Sequence, residues 1–307
     1  MAWELYQSVA QELFPYVQQL ELSVAGEPML SSHFREEVEL AKQYSIRILA
    51  TTNATRLKDD AILDLVARKI DWLKISFDAA TKETYEAIRI GANFDEVTAS
   101  LRKLKALREK TGKPARLEFS CVVMKRNLRE LPDWVELVHS LGATWLSIVP
   151  MTTHPTHSAE MLGETLKHCP DLARHFLALA LDKARALEFP VYEKISDYLN
   201  KNVSMASAPL SVPSSSGKRE TLSFATDPRP VMHCAFLYDQ TWISREGLVM
   251  TCCDINQQVA GDLRKDSFSK IWNNKFLQNL RQKIREGNPP PGCRNCLILQ
   301  VLRQPFV

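Results

Sequence analysis

The sequence predicts an α/β protein with a parallel sheet, followed by a small unit in which four cysteines hold a metal. Three observations lead there. Between residues 20 and 150, short β-branched apolar runs alternate with longer segments of helical period. The composition, 45% hydrophobic and 24% charged over 307 residues, is that of an ordinary globular chain long enough for two units. Five of the seven cysteines lie beyond residue 233.

The chain opens MAWELYQSVAQELF, an amphipathic helical pattern with Leu5, Val9, Leu13 and Val17 near one face. Glu4 comes early and no basic n-region precedes the apolar residues, so this is not a secretory signal. Strands are expected at Leu20–Val24, Ile46–Ala50, Trp72–Phe77, Arg116–Met124 and Thr144–Pro150. The clearest helix runs over 128–141, where Leu128, Leu131, Val135, Val138 and Leu141 share a face. Asn127 with Glu130 reads as its capping box, and Gly142 as its stop. Strands and helices at this spacing make parallel βαβ units, hence a barrel or an open doubly wound sheet. Helical pattern continues through 159–200, and a Ser- and Pro-rich linker follows at 201–231.

Composition also excludes. Lys and Arg number 39 against 36 Asp and Glu, which gives no electrostatic case for binding nucleic acid or an acidic membrane surface. No run approaches the roughly 20 apolar residues of a membrane-spanning helix. An odd number of cysteines, crowded at one end, argues for thiolates in a reducing compartment rather than a secreted disulfide framework; a cytoplasmic address is expected.

Cys234, Cys252, Cys293 and Cys296 are the candidate metal ligands. Two residues separate Cys293 from Cys296, which places both sulfurs on one tight turn. Trp242–Thr251 reads as a hairpin with Gly247 at its turn, carrying Cys252 back towards Cys234. Cys253 would point the other way. The spacing suits an iron–sulfur cluster, a structural zinc, or unligated packing thiols, and does not choose among them. Cys121 and Cys169 read as packing residues.

In parallel α/β proteins, chemistry sits where strands end. Those ends carry Ala25-Gly26-Glu27-Pro28, then Thr52-Asn53-Ala54, then Ser76-Phe77-Asp78, then Lys125-Arg126-Asn127. Taken singly, an Asn after a strand reads as a turn residue and an Asp before a helix as a cap. Glu118, on a strand, and His154 and His157 are further candidate substrate contacts, with packing or surface roles as the plainer reading.

The order of these motifs resembles the radical S-adenosylmethionine (SAM) superfamily, and the C-terminal cysteines resemble its SPASM-type auxiliary cluster domain. Gly26-Glu27-Pro28 is similar to the GGEP motif, with Ala25 for the first Gly. Thr52-Asn53 is similar to the TNG step, with Ala54 for Gly. Ser76-Phe77-Asp78, with the YEAIRIGANF run after it, is similar to the fourth strand and following loop. Cys234, Gly247 and Cys252, then Gly261-Asp262-Leu263, Ile271-Trp272 and the terminal Cys293/Cys296 pair, resemble the SPASM group.

The resemblance implies a partial (β/α)6 TIM-like barrel lacking its first strand over 1–200, and a small cysteine-rich α+β SPASM-like domain over 232–307. It implies SAM as cofactor, bound by Gly26, Glu27, Pro28, Asn53, Ser76, Asp78 and Asn127, with the GEP turn at the methionyl amino group and Ser76 and Asp78 at the ribose. It tips the metal choice to iron–sulfur. No cysteine follows Cys296, so one auxiliary [4Fe–4S] cluster is expected on Cys234, Cys252, Cys293 and Cys296. The CxxxCxxC of the catalytic [4Fe–4S] cluster does not occur in these residues. The expectation is therefore a fragment or an internally started reading frame, inactive by itself and open at the edge strand Leu20–Val24. The chemistry implied is hydrogen abstraction on an unknown small molecule or peptide, with an electron donor such as a ferredoxin or flavodoxin. The alternative is a non-catalytic binding or scaffold module with a structural cluster or zinc.

Overall fold

The computed structural model describes residues 1–22, 26–152, 158–200, 231–252, 258–293 and 299–302. Ala25, His154, His157, Cys253, Cys296 and nearly all of the expected linker lie outside the described residues. The chain forms two compact units, Phe14–Ser204 and Met1–Leu13 with Met205–Val307.

In the first unit six strands form one parallel sheet: β1 (Gln19–Glu21), β2 (Arg47–Thr52), β3 (Trp72–Ser76), β4 (Arg116–Val123), β5 (Trp145–Pro150) and β6 (Val191–Glu193). Their order in the sheet is their order in the chain. A doubly wound sheet reverses its order at a switch point, and this one never does. Right-handed crossovers therefore put every connecting helix on the same face, the barrel arrangement. Strand β6 was not expected. Its three residues follow Pro190 and are too few to show a period of two.

One face of the sheet packs under the helices. Ile48, Ala50, Leu73, Ile75, Leu117, Phe119, Leu146 and Ile148 are all buried there. The inner faces of the helices supply Val38, Leu63, Val66, Leu101, Leu104, Val135 and Val138, also buried. Local chemistry sets the helix ends: Asp59 accepts from the Ala61 and Ile62 N–H groups to start Asp60–Lys69, and Asn93 accepts from Glu96 N–H to start Phe94–Thr111.

At the amino end of the sheet, Asp71 joins three elements. Its carboxylate accepts from the Ile48 N–H (2.9 Å), from Lys113 Nζ (2.7 Å) and from Lys42 Nζ. Partial burial works to raise its pKa, but these donors outweigh it and hold the carboxyl below its ordinary value. A depressed folded-state pKa contributes stability that is present above the unfolded-state value and lost as pH falls through the folded one. The unfolding midpoint of the wild type should thus fall more steeply below about pH 4 than that of Asp71→Asn. Parallel acid melts of the two proteins check this, and superimposable slopes would count against it.

The second unit contains the helix Trp3–Leu13, expected with the barrel but grouped here with the C-terminal segment. Its apolar stripe gave no sign of which surface it covers. Glu12 accepts from the Phe268 and Ser269 N–H groups at 2.8 and 2.9 Å, at the start of the helix Phe268–Trp272. Leu5 lies so close to Gly247 that a Cβ there would stand 2.7 Å from its Cδ2. The sheets are antiparallel: β7 (Val231–Cys234) pairs with β11 (Leu299–Leu302), and β8 (Trp242–Ile243), β9 (Leu248–Met250) and β10 (Val259–Asp262) form a meander. The hairpin around Gly247 is formed as the sequence suggests, with Trp242 opposite Met250 and Gly247 at φ +85°. Leu237, Val249, Ala260, Ile271, Leu277 and Ile284 make its core. No helix among the described residues is long and apolar enough to cross a membrane.

Candidate functional site

At the carboxyl end of the sheet, Glu27 ties two strand-end turns together. Gly26 takes φ +96°, a conformation that favours glycine, and Pro28 opens a short 3-10 turn over Pro28–Leu30. Between them the Glu27 carboxylate accepts from Met29 N–H (3.2 Å), from the Thr52 hydroxyl (2.8 Å) and from Asn53 N–H (2.7 Å). Asn53 Oδ1 in turn accepts from the N–H and hydroxyl of Thr55. Ala54 sits at φ +64°, left-handed, which explains why a glycine is the comfortable residue at this step. Thr52, read in the sequence as part of the Thr52-Asn53 step but not as a site residue, is the hinge of this network.

Asp78 and Asn127 form a second knot at the ends of β3 and β4. Both are 2% exposed. Asp78 Oδ1 accepts from Val122 N–H (2.8 Å) and Oδ2 from Arg89 Nε (2.6 Å). Asn127 Nδ2 donates to the carbonyls of Asp78 (2.7 Å) and Val122 (3.0 Å), while Oδ1 accepts from Met124 N–H (2.8 Å). The expected capping box does not form. Residues 128–130 make a 3-10 turn before the helix Leu131–Ser140, and Asn127 makes no cap hydrogen bond. Glu130 reaches across instead to the N–H groups of Ala80 and Thr81 and the hydroxyls of Thr81 and Thr84. Both Asp78 carboxylate oxygens are thus engaged within the fold, and its side chain holds two strand ends together.

The face of the sheet away from the helices is polar. Register and alternation line up Thr51, Lys74, Glu118 and Trp145 in one row and Ser76, Ser120, Ser147 and Tyr192 in the next. A packed barrel interior would carry branched aliphatic residues here. Glu118, 3% exposed, is met by Arg116 (2.7 Å), Lys74 (3.3 Å) and Trp72 Nε1 (3.1 Å). The Arg116 guanidinium lies between the rings of Trp72 and Trp145, at 3.7 and 3.9 Å. Ser147 Oγ and Trp145 Nε1 are buried with no hydrogen-bond partner among the described residues. Sequence reasoning singled out Glu118 and Ser76 alone, although the period-two pattern of Trp72, Lys74 and Ser76 was there to be read.

In the second unit, Cys234 ends β7 opposite Leu299. Cys234 and Cys293 pack, partly buried, against the same core of Leu237, Val249 and Ile271. Cys252 follows β9, and Cys296 lies outside the described residues. Among the described residues no group of three or more His, Cys, Asp or Glu could hold a metal ion. Two of the four expected sulfurs, Cys234 and Cys293, thus share one core. Thiols as donors fit an iron–sulfur cluster. Cys121 is a packing residue of the barrel, its thiol pushed well up by burial, and Cys169 precedes the helix Pro170–Ala186.

Residues 14–138 match the radical SAM superfamily, and residues 234–297 match SPASM, an iron–sulfur cluster-binding domain. Over 119 residues the chain is 30% identical to the mycofactocin maturase MftC of Mycobacterium tuberculosis, which is 39% of this chain and 29% of that protein. The chain thus matches less than a third of that relative's length. Two solved structures share the fold. Native anSMEcpe with bound AdoMet matches with TM-score 0.61 and 15% identity, over 96% of this chain and 78% of that one. Streptococcus suis SuiB bound to precursor peptide SuiA matches with TM-score 0.52 and 14% identity, over 86% and 55%. Residues 14–138 are thus similar to the radical SAM superfamily, and residues 234–297 to the SPASM iron–sulfur cluster-binding domain.

Proposed function

We propose that this chain provides the SAM-binding barrel and the auxiliary-cluster domain of a radical SAM enzyme that modifies a peptide. The observation that carries this reading is the Glu27 network, which fixes the Gly26–Pro28 turn against Asn53 at the carboxyl ends of β1 and β2. The turn's backbone receives the methionyl amino group of SAM, and Asn53 and Ser76 face the cofactor. Asp78 and Asn127 act through the strand ends they lock. Cys234, Cys252, Cys293 and Cys296 hold the auxiliary [4Fe–4S] cluster. When bound, SAM and the clusters supply the one-electron chemistry that starts hydrogen abstraction, and the protein supplies orientation and exclusion of water. A ferredoxin or flavodoxin serves as electron donor. The peptide substrate class is supported by the SuiA complex of a protein of the same fold.

Titration calorimetry with SAM tests the barrel assignment. Binding to the whole chain should weaken at least tenfold in Glu27→Ala; an unchanged isotherm would remove the site. Anaerobic purification with iron and sulfide analysis tests the cysteines. About four irons per chain are expected, lost in Cys293→Ser, whereas stoichiometric zinc would overturn the assignment.

The alternative reading is a non-catalytic binding module whose cysteines hold a structural cluster or zinc. Formation of 5′-deoxyadenosine by the reconstituted chain would decide for the enzyme.

A further inference from the structure

Away from the polar face of the sheet, the barrel unit has a cavity of about 420 Å³ whose lining includes the turn after Glu27 and two arginines. We infer that this cavity binds a carboxylate carried on a short apolar chain. Its apolar wall is Met29, Phe34, Ile62 and Leu65, and its cationic side is Arg35 and Arg56. Leu30, 70% exposed, extends the apolar surface.

The two guanidinium groups have donors to spare. Arg56 makes a 3.5 Å ion pair with Asp59, longer than a hydrogen bond, and its Nε is buried with no partner among the described residues. Asp59 itself is held by the N–H groups of Ala61 and Ile62, so it does not swing closer. Arg35 gives one long bond, 3.3 Å from Nη2 to the Ala61 carbonyl. A guanidinium presents five N–H donors in a planar fork that matches a carboxylate bidentately. Two such forks beside an apolar wall recognise a charged head and a hydrophobic tail together. Of the nearby carboxylates, Asp59 faces Arg56, Glu37 receives the Ser31 hydroxyl at 2.8 Å, and Asp60 meets Lys103.

Occupancy would be felt at the strand ends. Met29 lies on the wall, its N–H donates to Glu27, and its Sδ meets the Thr52 hydroxyl at 3.7 Å. The ligand's chemistry could come from a free small acid or from the C-terminus of a peptide ending in an aliphatic residue, and two probes separate these.

The test is calorimetric titration of the whole chain with octanoate, with N-acetyl-leucine and with N-acetyl-leucinamide, which lacks the charge. Saturable binding of at least one acid is expected, at least tenfold tighter than the amide, and weakened at least tenfold in Arg56→Gln and in Arg35→Gln. Octanoate alone points to a free acid, and N-acetyl-leucine alone to a peptide terminus. Equal binding of acid and amide, arginine variants that bind like the wild type, or no saturation by either acid below about 10 mM would overturn the site. Thermal melts confirm folding of each variant, and the exposed Arg35 carries the test if Arg56→Gln does not fold.

Discussion

Asn127→Ala should lower the stability of the barrel by roughly 3 kcal/mol, because three backbone groups, one buried and two partly buried, lose their partner at once. Those groups are the carbonyls of Asp78 and Val122 and the N–H of Met124, all met by a side chain only 2% exposed. For a unit of this size that corresponds to a fall of about 6–12 °C in the unfolding midpoint. The magnitude discriminates. If Asn127 were only a helix cap, its loss would cost about 1 kcal/mol. Asn127→Asp should not rescue, since it keeps the acceptor for Met124 but turns a carboxylate oxygen towards two carbonyls. Asp78→Ala belongs to the same knot, leaving Arg89 without its buried counter-ion. A melt of Asn127→Ala within about 1 kcal/mol of the wild type would restore the cap reading.

The same residue shows where sequence reasoning stops. A strand announces itself by alternation and a helix by its apolar stripe, so all five expected strands appear with ends shifted by a few residues. Asn127 and Glu130 stand three apart, as a capping box does, but their partners lie near residues 78–84 and 122–124, and no local pattern encodes such distances. The ribose role of Asp78 comes from the family resemblance alone, and its fold partners, Arg89 and the Val122 N–H, are ones that the local sequence does not announce. The polar face was half legible. Lys74 and Ser76 alternate visibly, but register across β3, β4 and β5 is needed to see a row of serines beside the buried Glu118 and its partners Lys74 and Arg116. Spacing paired Cys293 with Cys296 and Cys252 with Cys234, whereas the common core beneath Cys234 and Cys293 depends on Leu237, Val249 and Ile271, which no cysteine spacing encodes.

Gly261→Ala tests the second unit where its fold is tightest. A Cβ built on Gly261 would stand 2.6, 2.7 and 2.8 Å from Cγ1, Cγ2 and Cδ1 of Ile271. Ile271 is 2% exposed and cannot swing away without leaving the core it shares with Val249 and Leu277. The backbone has no slack either, since β10 already carries a register shift between Val259 and Gly261, and the Ala260 carbonyl accepts from Asn274 Nδ2 at 2.9 Å. This close approach gives a physical reason for Gly-Asp-Leu and Ile-Trp to occur together in the sequence. Gly261→Ala should cost about 1–3 kcal/mol as overpacking. Ile271→Ala removes all three clashing carbons and should cost about 2–5 kcal/mol alone. The double variant should be less destabilised than the sum by at least about 1 kcal/mol, because each change relieves the other. Cys234 and Cys293 pack on this same core, so iron retained per chain should fall in Gly261→Ala and recover in part in the pair. Strict additivity, to within about 0.5 kcal/mol, would mean that something other than Ile271 requires the glycine.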